Sequence, residues 1–205
     1  LWTEVTSWLA ANAPGTLAAL RPAGDPARLG AAEAELGFCL GPELTDWWHL
    51  HDGVTSEAGT IVPGYYLLGV DGMLDERRTA LEAGHEIDHE VDHEVDHEVD
   101  HEVDLNPEPR PESGEACDPA WSFLPEFVPV GYDGAGNSLV VDCRPGARHG
   151  YLKDYDHEDG AHQPPLYESL ADLLTQVLHS LHTGDPLKQR RPVIQAGTLN
   201  WDWQT

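Results

Sequence analysis

Residues 85–104 read HEIDHEVDHEVDHEVDHEVD, a tetrapeptide repeated five times with one Ile in place of Val. No other stretch restricts the fold as strongly. Ten acids and only five aliphatic side chains occupy these 20 positions, so the repeat has no face to offer a core. On a helix, Glu and Asp each recur at i+4 against their own kind, which costs a few tenths of a kcal/mol per pair. On a strand, every acid falls on one face and every His, Val and Ile on the other. Neither arrangement packs well at neutral pH, so the repeat is expected as a flexible insertion. "LNPEPRPESGEACDP", residues 105–119, adds four prolines and almost nothing to bury, and reads as a linker. Residues 85–119 are therefore set apart from a single domain spanning 1–205.

The same repeat spells H-E-x-x-H four times, from His85, His89, His93 and His97. That pattern marks zinc proteases, in which two histidines one helical turn apart bind the metal and the glutamate is the general base. A catalytic zinc helix also needs a third ligand and an apolar face that holds it rigidly. Four overlapping copies on a polar segment provide neither, so the motif is read as an accident of tandem repetition. His85, His89, His93, His97 and His101 are candidates for adventitious Zn²⁺ or Ni²⁺ binding only. No functional metal and no cofactor is expected.

Formal net charge is −26 over 205 residues, and the residues outside the repeat still carry −16. Such a surface repels nucleic acid and anionic membranes and attracts basic partners from a distance; it also serves solubility. Cys39, Cys117 and Cys143 show no C-x-x-C spacing, which fits a reducing compartment, and no signal-like segment opens the chain. A cytoplasmic location is the expectation.

Apolar spacing predicts a helix over 2–11 with Trp2, Val5, Trp8 and Leu9 on one face, and a short helix to Leu20. Asp25-Pro26 is a helix start and Gly37 a helix stop. In "GPELTDWWHLHDG", Leu40, Leu44, Trp47, Trp48 and His51 form one broad stripe, and both tryptophans are placed in the core. "TIVPGYYLLGV" reads as a strand or bent strand pair, and 72–83 as a charged helix. Beyond Trp121, three short β-rich runs separated by "DGAGN" and "RPGARHG" read as an antiparallel meander. "LYESLADLLTQVLHSLHTG" is the clearest helix, with Ser169 as cap and Gly184 as stop. The tail adds a final strand with Trp201 and Trp203 on one side. Helices, then a meander, then a helix indicate an α+β fold: a twisted, mainly antiparallel sheet packed by several helices.

Other candidate chemistry is weak. "DGAGN" lacks the Lys and Ser/Thr of a phosphate loop and reads as a hairpin turn. "DYDHEDG" at 154–160 has calcium-loop residues in the wrong positions and reads as a solvated acidic turn. Cys39 and Cys143 read as small core residues. No Ser or Cys sits in a nucleophile context, so no enzyme is expected.

"AAEAELGFCLGPELTDWWHLHDG", "YYLLGV", "WSFLPEFVPVGYDGAGNSLVVDCRPGARHG" and "ESLADLLTQVLHSLHTG", in that order, resemble the SUKH superfamily, from about residue 25 to 184. That superfamily contains the yeast cell-wall-assembly regulator of the Smi/Knr type and many bacterial immunity proteins. The resemblance implies a single α+β domain that binds proteins rather than catalysing a reaction. In its bacterial members the partner is a toxin domain, often a nuclease, and basic where it grips phosphates. On that reading the contact acids are Asp133, Asp142, Asp154, Asp156, Glu158 and Asp159, with Tyr132, Tyr151 or Tyr155 as aromatic anchors. A regulatory scaffold recruiting host proteins, and a metal-binding protein using the repeat, remain as alternatives. The identity of the partner and the oligomeric state are not encoded in any pattern found.

Overall fold

The computed structural model describes residues 1–55, 59–93 and 114–204, and between 85 and 93 the backbone alone. Its elements run α1 (Trp2–Asn12), α2 (Pro14–Ala19), α3 (Pro26–Leu36), α4 (Pro42–Leu50), β1 (Tyr66–Leu67), α5 (Val70–His93), β2 (Phe127–Tyr132), β3 (Ser138–Asp142), β4 (Leu152–Tyr155), α6 (Leu170–Thr183), β5 (Arg190–Gln195) and β6 (Thr198–Trp203). β1 to β4 form one antiparallel sheet in sequential order, and β5 and β6 form a separate hairpin. The expected α+β architecture and the central meander are both present.

Local chemistry sets the helix ends. The Asp25 carboxylate accepts the Ala27 N–H at 2.9 Å, Pro26 occupies the first turn of α3, and Gly37 closes it at φ 81°. Ser169 Oγ accepts the Asp172 N–H at 2.9 Å, and Gly184 ends α6 at φ 75°. The α4 stripe is buried along its whole length: Leu40, Leu44, Trp47, Trp48 and His51. Trp48 Nε1 donates to the Leu68 carbonyl at 3.1 Å, so this indole ties the helix to the strand region as well as filling the core.

"HDG" is a joint between layers. His51 Nδ1 accepts the Gly53 N–H at 3.0 Å, and the Asp52 carboxylate accepts the Val70 N–H at 2.8 Å at the start of α5. Gly53 has φ 77°, and a Cβ there would lie 2.3 Å from the Gly69 nitrogen. The two segments meet backbone to backbone, so a side chain on Gly53 is excluded by both space and conformation.

The sheet is a middle layer. Val128, Val130, Leu139, Val141 and Leu152 join the main core with the helices. Phe127, Val140 and Tyr155 join a smaller cluster with Ala120, Phe123 and Ala161, against which Ala80 and Leu81 of α5 pack. Burial on both faces explains why β3 is buried at every position and shows no polar alternation.

Several expectations are corrected. α5 does not stop at 83 but runs to His93, so the backbone of the first repeats continues a helix. Helix propagation costs far less than nucleation, and α5 is already nucleated by packing on β2. The side chains of His85, His89 and His93, and all of His97, His101 and residues 94–113, lie outside the described residues. The end of the expected linker is not idle. Ala116 and Cys117 are buried, and the Cys117 N–H donates to Asp142 at 2.7 Å. Hydrogen bonds and small side chains hold this stretch, which leaves no hydrophobic period to read. Cys39 is exposed rather than in the core, and Cys143 is half-buried, its thiol pushed up to about 12 by burial. The tail forms two strands. Ala196 and Gly197 turn between them at φ 51° and 79°, the double left-handed geometry of a type I′ hairpin. Alanine is a rare occupant of that position, so the turn carried no strong signal. Trp201 is buried, but Trp203 overhangs the core and is 62% exposed.

Candidate functional site

Two acidic turns lie side by side at one end of the sheet. In the first, Asp133 Oδ1 accepts the N–H groups of Ala135 (2.7 Å) and Asn137 (3.1 Å), and Oδ2 accepts from Asn137 Nδ2 (2.9 Å). Gly134 and Gly136 supply the positive φ values that the loop needs. In the second, Asp156 Oδ1 accepts the N–H groups of Glu158 (2.8 Å) and Asp159 (3.1 Å), and Asp156 pairs with Gly160. The register Ser138↔Tyr155 brings the two turns to the same edge. There the His157 N–H donates to Asn137 Oδ1 at 3.1 Å, and Gly136 abuts the His157 ring. Tyr65 donates its hydroxyl hydrogen to Asp154 at 2.6 Å beside them.

The structure therefore gathers Asp133, Asp154, Asp156, Glu158 and Asp159 into one acidic edge. Their environments differ. The N–H groups of Glu158 and Asp159 hold the Asp156 carboxyl below the usual range. Burial raises the Asp154 carboxyl, opposed by the Tyr65 hydrogen bond and reinforced by Asp156 and Asp133. Glu158 and Asp159 are exposed, and the Glu158 carboxylate lies 3.9 Å from His157 Nε2.

Two expected contact residues are not available to a partner. Asp142 is fully buried; its Oδ2 accepts from Arg144 Nη2 at 2.8 Å and from the Cys117 N–H, so it holds the fold together from inside. Tyr155 is also buried, edge-on to Phe123 at 4.9 Å in the smaller cluster, because β4 turns it toward α5. Tyr132 is half-buried against Tyr66 at 5.6 Å, at the foot of the first turn. Tyr151 lines a shallow cleft of about 450 Å³ with Leu166, Tyr167, Glu168 and Asp172, away from the turns.

Two residues of this edge were not foreseen. Trp121 is 67% exposed; its backbone lies against Gly160, and its indole meets the His162 ring edge-on, with centroids 3.8 Å apart. Its only sequence signal was its position outside any apolar period. Lys153, one of the two lysines, is fully buried. Its Nζ donates to the carbonyls of Ala161 (2.6 Å) and Asp118 (3.2 Å), fastening the second turn from behind. Burial lowers its ammonium pKa.

Among the described residues, no three His, Cys, Asp or Glu side chains stand close enough to hold a metal ion. No helix among them is long and apolar enough to cross a membrane. The arrangement offers a fixed, negatively charged rim with an aromatic side chain next to it, on a closed α+β domain.

No curated protein compared with this sequence matches it. The SMI1 / KNR4 family (SUKH-1) matches over residues 24–176, a span that includes the α3–α4 pair, the glycine joint after it, the meander with both acidic turns and the first half of α6. By that match, which covers most of its length, the chain belongs to the SMI1 / KNR4 family (SUKH-1).

Proposed function

We propose that this protein is a non-enzymatic binding domain of the immunity type, which sequesters a basic toxin domain through the acidic edge. The observation that carries the proposal is the gathering of Asp133, Asp154, Asp156, Glu158 and Asp159 on two stiff turns. The backbones of these turns are already ordered before a partner arrives, and the net charge of −26 speeds encounter with a positive surface. A toxin that grips phosphates exposes such a surface, and covering it blocks the toxin's own substrate. Membership of the SUKH group supports the protein-binding reading.

The test uses a cognate toxin domain, sought among the products of the neighbouring genes. Glu158→Lys with Asp159→Lys leaves the carboxylates that build the turns in place. It is expected to slow association by roughly tenfold to a hundredfold at low salt and to flatten the salt dependence. Association that keeps its rate and its salt slope in this variant would remove the acidic edge from the interface.

A further inference from the structure

We infer that His51 makes the contact between α1 and the joint after α4 acid-sensitive, so that protonation of its imidazole frees the N-terminal end of α1. The inference is independent of the acidic edge. His51 is buried between two indoles, its ring centroid 4.7 Å from that of Trp2 on α1 and 4.7 Å from that of Trp47 on α4. Its Nδ1 accepts the Gly53 N–H at 3.0 Å and so carries no proton, which places the ring's one N–H at Nε2. Among the described residues, Nε2 has no hydrogen-bond partner, and neither has the buried Nε1 of Trp47. The cluster therefore holds two donors without acceptors and has no place for a third. Gly53 cannot follow a displaced imidazole. Its carbonyl accepts the Arg21 N–H at 3.0 Å, and a Cβ on it would lie 2.3 Å from the Gly69 nitrogen.

A second proton on the ring must go to Nδ1. There it meets the Gly53 N–H, so a hydrogen bond becomes a repulsion between two donors. Indole faces attract a cation, but the loss of water from an imidazolium with neither N–H accepted outweighs that attraction. The charged groups on the surrounding elements are the Leu1 amine and Glu4 on α1, Arg21 before α3, Asp46 and His49 on α4, Asp52 in the joint, Asp71 on α5, and Asp172, His179 and His182 on α6. Leu1 pairs with Glu4, Asp71 with Arg28, and Asp52 accepts from Val70. None of these groups acts on His51; burial alone lowers its pKa, to about 4. The folded state thus binds this proton less readily than the unfolded chain, whose histidine titrates at about 6.5. Stability from the neutral ring is complete above that value and is lost as pH falls toward the folded one. Trp2 is half-buried and Trp47 only 2% exposed, so the charged ring reaches water past Trp2 and displaces the first turn of α1.

The test follows the whole protein by NMR as pH is lowered from neutral, with hydrogen exchange and urea unfolding at the same pH values. The expected result is one titration, with its midpoint well below that of a free histidine, shared by the His51 imidazole, the Gly53 amide and the Trp2 indole N–H. Protection of the Val5 amide, which bonds the Leu1 carbonyl, should fall before that of the β2 and β3 amides. His51→Asn keeps a side-chain acceptor for the Gly53 N–H but takes up no proton. Relative to this variant, the folding constant of the unaltered protein should fall by up to about tenfold per pH unit below about pH 6.5. In the variant, Val5 should stay protected for as long as the sheet does. A His51 imidazole that titrates at about 6.5 in the folded protein would overturn the inference without any variant. So would a loss of Val5 protection that persists in His51→Asn, or one that coincides with loss of the sheet.

Discussion

The acidic edge and the C-terminal hairpin are two exposed β-turn regions of one domain, and they are built on opposite terms. The edge is negative, and its turns are shaped by carboxylates that accept backbone N–H bonds. The hairpin gathers Lys188, Arg190 and Arg191, three of the chain's eleven basic residues, with the Arg190 guanidinium 4.1 Å above the Trp203 ring. Its hold on the domain combines burial with long-range hydrogen bonds: Leu199 and Trp201 are buried, the Leu199 N–H donates to Thr16 Oγ1 at 2.7 Å, and Trp201 Nε1 donates to the Thr60 carbonyl at 2.8 Å. Its free strand also carries Pro192 at a position whose N–H would have faced the open edge, so it cannot template another strand there. The comparison teaches that exposure alone does not mark a site. One region is shaped by carboxylates bonding within their own turns, whereas the other is tied to distant segments through Gly197, Leu199 and Trp201.

The largest effect should come from the buried ion pair at the other end of β3 from the acidic turns. Asp142→Ala leaves Arg144 buried without its carboxylate and the Cys117 N–H without its acceptor, and is expected to cost roughly 3–5 kcal/mol in urea unfolding. Unchanged stability in this variant would show that the pair does not hold the 114–121 segment to the sheet. The next effect is on recognition. Arg190→Glu with Arg191→Glu should leave association with a basic partner within about twofold, while reversal at Glu158 and Asp159 slows it by about tenfold or more. Equal losses from both pairs would erase the distinction between the two regions.

A smaller effect separates two acids within the edge. The Asp154 carboxyl is raised, so the folded state holds that proton more tightly than the unfolded chain, and ionisation at neutral pH opposes folding. Asp154→Asn is therefore expected to raise the melting temperature at pH 7, with the gain vanishing once the pH is low enough to protonate the carboxyl in both states. The Asp156 carboxyl is lowered, so it stabilises above the ordinary carboxylate range, and that stability is lost as pH falls through its depressed value. Asp156→Asn should lower the melting temperature at pH 7, and melting curves of both variants across pH 2–8 check the opposite signs. The smallest effect belongs to the overhang: Ile194, 43% exposed, should tolerate Lys within about 0.5 kcal/mol by thermal melting.

Where a pattern has a local physical cause, the sequence was legible. Asp25-Pro26, Gly37, Ser169 and Gly184 mark helix ends through single hydrogen bonds and left-handed turns, and each sits where its chemistry requires. "DGAGN" forms its hairpin for the same reason. The acidic edge was half legible: the acids on turns were visible, but Asp142 and Tyr155, which alternate with them in residue type and spacing, face inward. The α4 stripe was read correctly because four apolar positions and His51 on one face admit one orientation. The continuation of α5 to His93 was not legible, since propensity alone argues against it and packing of its earlier turns decides it.

Residue order alone determined the capped ends of α3 and α6, the α+β class, the family and the negative field, because each follows from local hydrogen bonding, apolar periodicity or summed charge. Tertiary structure alone decided which carboxylates reach solvent, which lysine is buried behind them and which tryptophan is left exposed. Those outcomes depend on the register of β3 against β4 and on a segment near residue 118 packing under a turn some forty residues later. Contacts between positions that far apart leave no trace in any local pattern.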